Sequence, residues 1–118
     1  EMNFLAPSGD GRAWLRQRYG DAALQAGARV GLRPEELSLS TAKSSPDEAP
    51  LHWVGTVRRI ERLGAEAYAE IRVDDVDVLV RTSADVRLDG DGTVFLTPEM
   101  ARLRLFDGVT GAAVASRA

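Results

Sequence analysis

Cysteine is absent from the 118 residues, which excludes disulfide scaffolds, thiolate zinc sites and cysteine nucleophiles. Histidine occurs once, as His52, so a multi-histidine metal centre is excluded and one imidazole remains for acid-base work. Its neighbours Pro50, Leu51 and Trp53 suggest no relay, and a structural or solvated role is its reading. Lysine also occurs once, as Lys43; the rest of the 15 basic residues are arginine, and 18 acidic residues leave a net charge of -3. Such a chain lacks the cationic field that non-specific phosphate contact needs. Aromatic residues make up only 6% and are scattered, so they offer no stacking platform for bases. Nucleic acid is therefore not expected as a partner. Apolar runs such as Val78 to Val80 fall far short of the roughly 20 residues needed to cross a bilayer. No signal-peptide pattern is present.

The motifs of common chemistry are missing as well. Gly90 and Gly92 lack the lysine and helix of a phosphate-binding loop. Asp74, Asp75, Asp77, Asp89 and Asp91 invite a calcium reading. Counted from Asp89, however, the sixth position is Val94 and the twelfth Met100, where a calcium loop needs glycine and a bidentate glutamate. These carboxylates read as turn and surface residues. Arg58, Arg59 and Arg62 lie among Glu61, Glu66 and Glu70 and read as a solvated face of mixed charge. The expected catalytic, cofactor-binding and metal-ligating sets are therefore empty.

What is present is one domain's worth of ordinary soluble composition, large enough to bury a core without staples. Residues 1–118 are expected to form a single domain. Glu1, followed directly by Met2-Asn3-Phe4-Leu5, reads as a domain cut from a longer polypeptide. Eleven glycines and five prolines break the chain into short pieces. Several of these alternate with period two, the mark of half-buried strands. Ala67, Ala69, Ile71 and Val73 share one face, Asp74-Asp75 forms a tight turn, and Val76, Val78 and Val80 resume the alternation.

Further strands are predicted at 27–32, 93–97 and 103–106. Thr97-Pro98-Glu99 is read as the opening of a helical turn with proline at its first position. Residues 11–20 admit a strand or one and a half helical turns, and the strand is chosen. Val54, Val57, Ile60 and Leu63 recur every three residues, as on a helix, yet their β-rich surroundings favour a strand. Ser40 to Pro50 reads as a surface loop or linker, and Gly111 to Ala118 as a frayed tail. The result is a mostly β domain of seven to nine short strands, a small barrel or sandwich.

Four strings occur in order: Met2-Asn3-Phe4-Leu5; Val30-Gly31-Leu32-Arg33-Pro34-Glu35-Glu36-Leu37; Gly55-Thr56-Val57 with Glu61-Arg62-Leu63-Gly64-Ala65-Glu66; and Leu105-Phe106-Asp107 with Thr110-Gly111. Together they resemble the C-terminal regulatory domain (TOBE, or transport-associated OB) of sugar-importer ABC ATPases of the maltose and glycerol-phosphate type. The family's strings look like MNF, VGIRPEHL, VExLGxE and LFDxxTG. Leu32, Glu36 and Arg62 depart from its usual Ile or Val, His, and proline.

The resemblance implies an OB-type β-barrel with short helical turns, following a nucleotide-binding domain in a cytoplasmic subunit peripheral to the inner face of the membrane. It implies no hydrolysis by this piece, with ATP and Mg held by the preceding domain. The implied partners are that ATPase domain, a second copy of the subunit in a homodimer, the permease subunits indirectly, and a regulatory protein in some members. The residues it singles out are Asn3, Phe4, Arg33, Pro34, Glu35, Glu61, Gly64, Glu66, Phe106, Asp107, Thr110 and Gly111. Among them, Phe4 is expected to anchor the incoming chain by burial, Pro34 to fix a turn, Arg33 and Glu35 to pair across an interface or cap loops, and Gly64 to supply a conformation closed to side chains. Two other classes stand beside this reading: a sensor of oxyanions or sugars, and an OB-type binder of single-stranded nucleic acid.

Overall fold

Nine strands and one helix carry the chain in a computed structural model that describes residues 2–7, 11–24, 27–41, 50–88 and 90–115. In order they are β1 (Asn3–Leu5), α1 (Arg12–Tyr19), β2 (Arg29–Leu32), β3 (Leu37–Ser40), β4 (Trp53–Leu63), β5 (Glu66–Val73), β6 (Val76–Ser83), β7 (Thr93–Pro98), β8 (Arg104–Phe106) and β9 (Ala113–Val114), with single helical turns at Asp21–Leu24, Pro34–Glu36 and Met100–Arg102. Two antiparallel sheets result, ordered β1-β2-β8-β9 and β3-β7-β4-β5-β6. The edges of the larger sheet, β3 and β6, lie against each other. The sheet thus curls on itself as a small barrel, in keeping with the OB-type expectation.

The alternation seen in the sequence decides what faces inward. Ala67, Ala69, Ile71, Val78, Val80, Val94 and Leu96 are fully buried on the concave side of the larger sheet. From the smaller sheet come Leu5, Val30, Leu32 and Leu105. Each such Val, Leu or Ile side chain contributes about 2 kcal/mol by leaving water, and each Ala methyl less than about 1 kcal/mol. The expected hairpin runs from Glu66 to Ser83, and its Asp74-Asp75 turn puts Asp74 at a φ of 53°, a left-handed conformation that Asp tolerates better than most residues.

The three-residue spacing in β4 has a local cause. A β-bulge falls between Val57 and Arg59, leaving Arg58 unpaired and shifting the pleat by one residue. Val57, opposite Ile71, and Ile60, opposite Ala69, therefore share the inner face although they are three apart. Leu63 lies beyond that stretch and is 55% exposed.

Three expectations are corrected. Residues 12–19 are helix rather than strand, because Leu15 and Tyr19, four apart, fall on one helical face and both bury. Arg18 stacks over the ring of Trp14, which packs half-buried against the core, at 5.4 Å. Pro98 ends β7 instead of opening a helical turn, which begins two residues later at Met100. Ala113 and Val114 pair with Phe106 and Leu105 as a ninth strand, so that part of the expected tail is ordered. Residues 116–118, and 42–49 of the expected loop, lie outside the described residues.

Candidate interaction surface

Three of the four sequence strings meet on the smaller sheet. Phe4 in β1 stands opposite Gly31 in β2; the partner of Gly31 in β8 is Arg104, and Phe106 lies two positions along from it, on the same face. The Phe4 and Phe106 rings meet edge to face at 5.3 Å. A Cβ on Gly31 would run into the Phe106 ring and approach the Met2 Sδ to 2.8 Å. Glycine at this point lets a thioether and an aromatic ring lie flat on the strand.

Phe4 is not the buried anchor that was expected. It is 47% exposed, whereas Asn3 is 7% exposed. The Asn3 carboxamide donates from Nδ2 to the Leu79 carbonyl at 2.8 Å and accepts from the Leu79 N–H at 2.9 Å. Strand alternation explains the exchange, since Leu5 must face the core and Asn3 shares its side.

Arg33-Pro34-Glu35-Glu36 forms the turn expected of Pro34, which is buried at its first position. The residue that holds it is Glu36, which sequence reading placed only as a departure. Glu36 is 3% exposed; its Oε1 accepts from the Arg33 N–H at 2.8 Å, and the Glu36 N–H returns to the Arg33 carbonyl at 2.9 Å. Arg104 donates to both carboxylate oxygens, at 2.9 and 3.2 Å. The Arg104 hydrogen bond, with help from the Arg33 N–H, holds the Glu36 carboxyl below its ordinary range despite burial, and Glu36 in turn raises Arg104. Arg33 and Glu35 point outward at the same turn and are exposed.

Asp107, Thr110 and Gly111 build the β8–β9 connection. The Asp107 Oδ1 accepts from the N–H groups of Val109 at 2.7 Å and Thr110 at 2.9 Å, which holds its carboxyl below the usual range. Thr110 Oγ1 accepts from the Ala112 N–H at 3.2 Å, and Gly111 turns the chain at a φ of 74°. Val109 stands at the tip, 83% exposed.

Glu61, Gly64 and Glu66 lie apart from these residues, at the end of the β4–β5 hairpin. Gly64 takes a φ of 66° with open space where a Cβ would stand, so its backbone conformation alone calls for glycine. Glu61 meets Arg59 at 3.4 Å and Glu66 meets Arg81 at 3.9 Å, both pairs in solvent and worth little. Arg62 donates to the carbonyls of Ala84 at 3.1 Å and Val86 at 3.4 Å, fastening the segment after β6 to the hairpin. His52 buries its Nδ1 without a hydrogen-bond partner among the described residues, beside Trp53, whose indole N–H donates to the Ala6 carbonyl at 2.8 Å.

The motif residues thus build turns and join strands, and several of them keep an exposed side chain. A family model for the TOBE domain matches residues 30–106. The chain belongs to the TOBE domain family. The matched span of this TOBE domain runs from β2 through β8 and includes the Glu36–Arg104 pair and the whole β4–β5 hairpin. The TOBE domain is also 36% identical over 85 residues to the sn-glycerol-3-phosphate import ATP-binding protein UgpC of Paracoccus denitrificans (strain Pd 1222), an alignment covering 70% of this chain and 22% of that protein. The chain therefore spans less than a quarter of the length of the curated relative it matches. Among the described residues of the TOBE domain, no helix is long and apolar enough to cross a membrane.

Proposed function

We propose that this TOBE domain is the non-catalytic C-terminal regulatory and dimerisation domain of the ATP-binding subunit of an ABC importer for sugars or related solutes. The observation that carries the reading is the likeness to an import ATP-binding protein over 70% of the chain. The use of the motif side chains supports it: Asn3, Glu36 and Asp107 are all spent on the domain's own backbone or on a neighbouring strand. On this reading residues 1–118 are one domain, and ATP and Mg belong to a nucleotide-binding domain ahead of it. The subunit works at the cytoplasmic face of the membrane, against permease subunits that it reaches through that domain, and a regulatory protein is a further partner.

Contact with the second copy falls to the exposed motif side chains. Phe4, Arg33 and Glu35, beside the half-buried Phe106, present one surface; Glu61, Leu63 and Glu66 at the hairpin tip present another. Deleting the TOBE domain from the full-length subunit should shift its mass in solution from dimer towards monomer. Analytical ultracentrifugation reads this directly, and a deletion that leaves the dimer as tight as before removes the dimerisation role.

A further inference from the structure

We infer that β1 is a coupling strap, the element through which a domain attached ahead of it moves the two sheets of this one. The inference rests on the proposed reading, in which a nucleotide-binding domain precedes the chain. Four consecutive residues, Asn3 to Ala6, are tied to three different elements. Backbone pairing of Asn3 with Leu32 and of Leu5 with Val30 holds them to β2. The Trp53 indole holds the Ala6 carbonyl to the start of β4 at 2.8 Å. Asn3 holds Leu79 of β6 through both its amide nitrogen and its amide oxygen.

This last tie matters most for coupling. β1 is an edge of the four-stranded sheet and β6 an edge of the five-stranded one. A carboxamide presents the same donor and acceptor as a peptide group. Asn3 therefore stands in for a neighbouring strand at Leu79, across 76 positions of sequence. A displacement arriving through Met2 acts on both sheet edges at once. The strap is also short: β1 has three residues, and such an element opens at lower free energy than the barrel strands. Leu5, 1% exposed, returns it to place by refilling the core.

Hydrogen exchange at the Leu79 amide, which donates to the Asn3 Oδ1, is the test. In the 118-residue chain, Asn3→Ala should speed that exchange about tenfold or more while amides of β4, β5 and β7 keep their protection. Asn3→Asp keeps the acceptor for the Leu79 N–H and loses the donor to its carbonyl; it should give a smaller effect, and it serves if the alanine variant does not fold. In the full-length subunit, adding a non-hydrolysable ATP analogue should change Leu79 exchange by about threefold or more in the unmodified protein. In Asn3→Ala that response should vanish, with analogue affinity unaltered. Bound analogue with Leu79 unmoved overturns the strap alone. A full-length protein that binds no analogue overturns the reading on which it rests.

Discussion

Replacing Glu36 by alanine should lower the stability of the domain by about 2–3 kcal/mol, roughly a 10 °C fall in melting temperature for a domain of this size. The change strips Arg104 of its bidentate partner and the Arg33 N–H of its acceptor, and it empties a site that is 3% exposed. Breaking one side of a fully buried ion pair costs more than this. Arg104 keeps 31% of its side chain in solvent and regains some hydration, which sets the lower figure. Glu36→Gln keeps the shape and one acceptor, and should cost about half as much.

The acid dependence follows from the same contact. Glu36 has a folded pKa below its unfolded value of 4.5, so its contribution is fully present above that value and is lost as pH falls through the lower folded one. Asp91 and Asp107 are lowered from 3.8 and act in the same sense. Melting temperatures taken near neutrality and at about pH 3 should therefore converge for the unmodified chain and Glu36→Gln. If the gap between the two is unchanged at low pH, the pair is not what holds the turn.

Gly55→Ala should be at least as damaging, costing about 3 kcal/mol or more. Gly55 sits on the inner face of β4, between Trp53 and Val57, and is buried. A Cβ there would lie 2.6 Å from the Ile71 Cγ2, 2.7 Å from the Arg72 carbonyl oxygen and 3.0 Å from the Val73 Cγ2. The carbonyl belongs to the backbone of β5, paired on both sides, and cannot move away without breaking the sheet. Gly31→Ala is the control. The atoms in its way are the Phe106 ring and the Met2 thioether, side chains on a partly open face that can swing aside, so about 1 kcal/mol or less is expected. Chemical denaturation of both variants checks the contrast; equal losses would show that the β4–β5 backbone yields more easily than its pairing implies.

Much of the barrel could be read directly from the chain. The run Ala67 to Val80 alternates cleanly because one face is core and the other solvent, so its hairpin and turn were visible in advance. The three-residue spacing in β4 imitates a helix because of its bulge, and it was the β-rich surroundings that pointed to the strand that forms. Residues 12–19 were missed as a helix because eight residues with a strongly charged outer face hold only Leu15 and Tyr19 as fully buried signals, with Trp14 half-buried beside them.

At the candidate surface, the order of the four strings pointed to the family, but the roles inside them did not follow. Phe4 was assigned the burial that Asn3 has, because hydrophobicity suggests burial while a carboxamide gives no hint that it will meet a strand edge 76 residues away. The Glu36–Arg104 pair spans 68 positions and was invisible for the same reason. Its one local trace is an acid three positions after Arg33, where it can return to the start of a proline-opened turn.

The claim underlying all of this is that the domain makes contacts and leaves chemistry to a neighbour in the same polypeptide. Steady-state ATP turnover, measured side by side on the isolated chain and on the full-length subunit, tests it most directly. No turnover above background from the chain, beside saturable, magnesium-dependent turnover from the full-length protein, is the predicted result. Hydrolysis by the chain alone, or none by the full-length protein under conditions where it binds ATP, would contradict it.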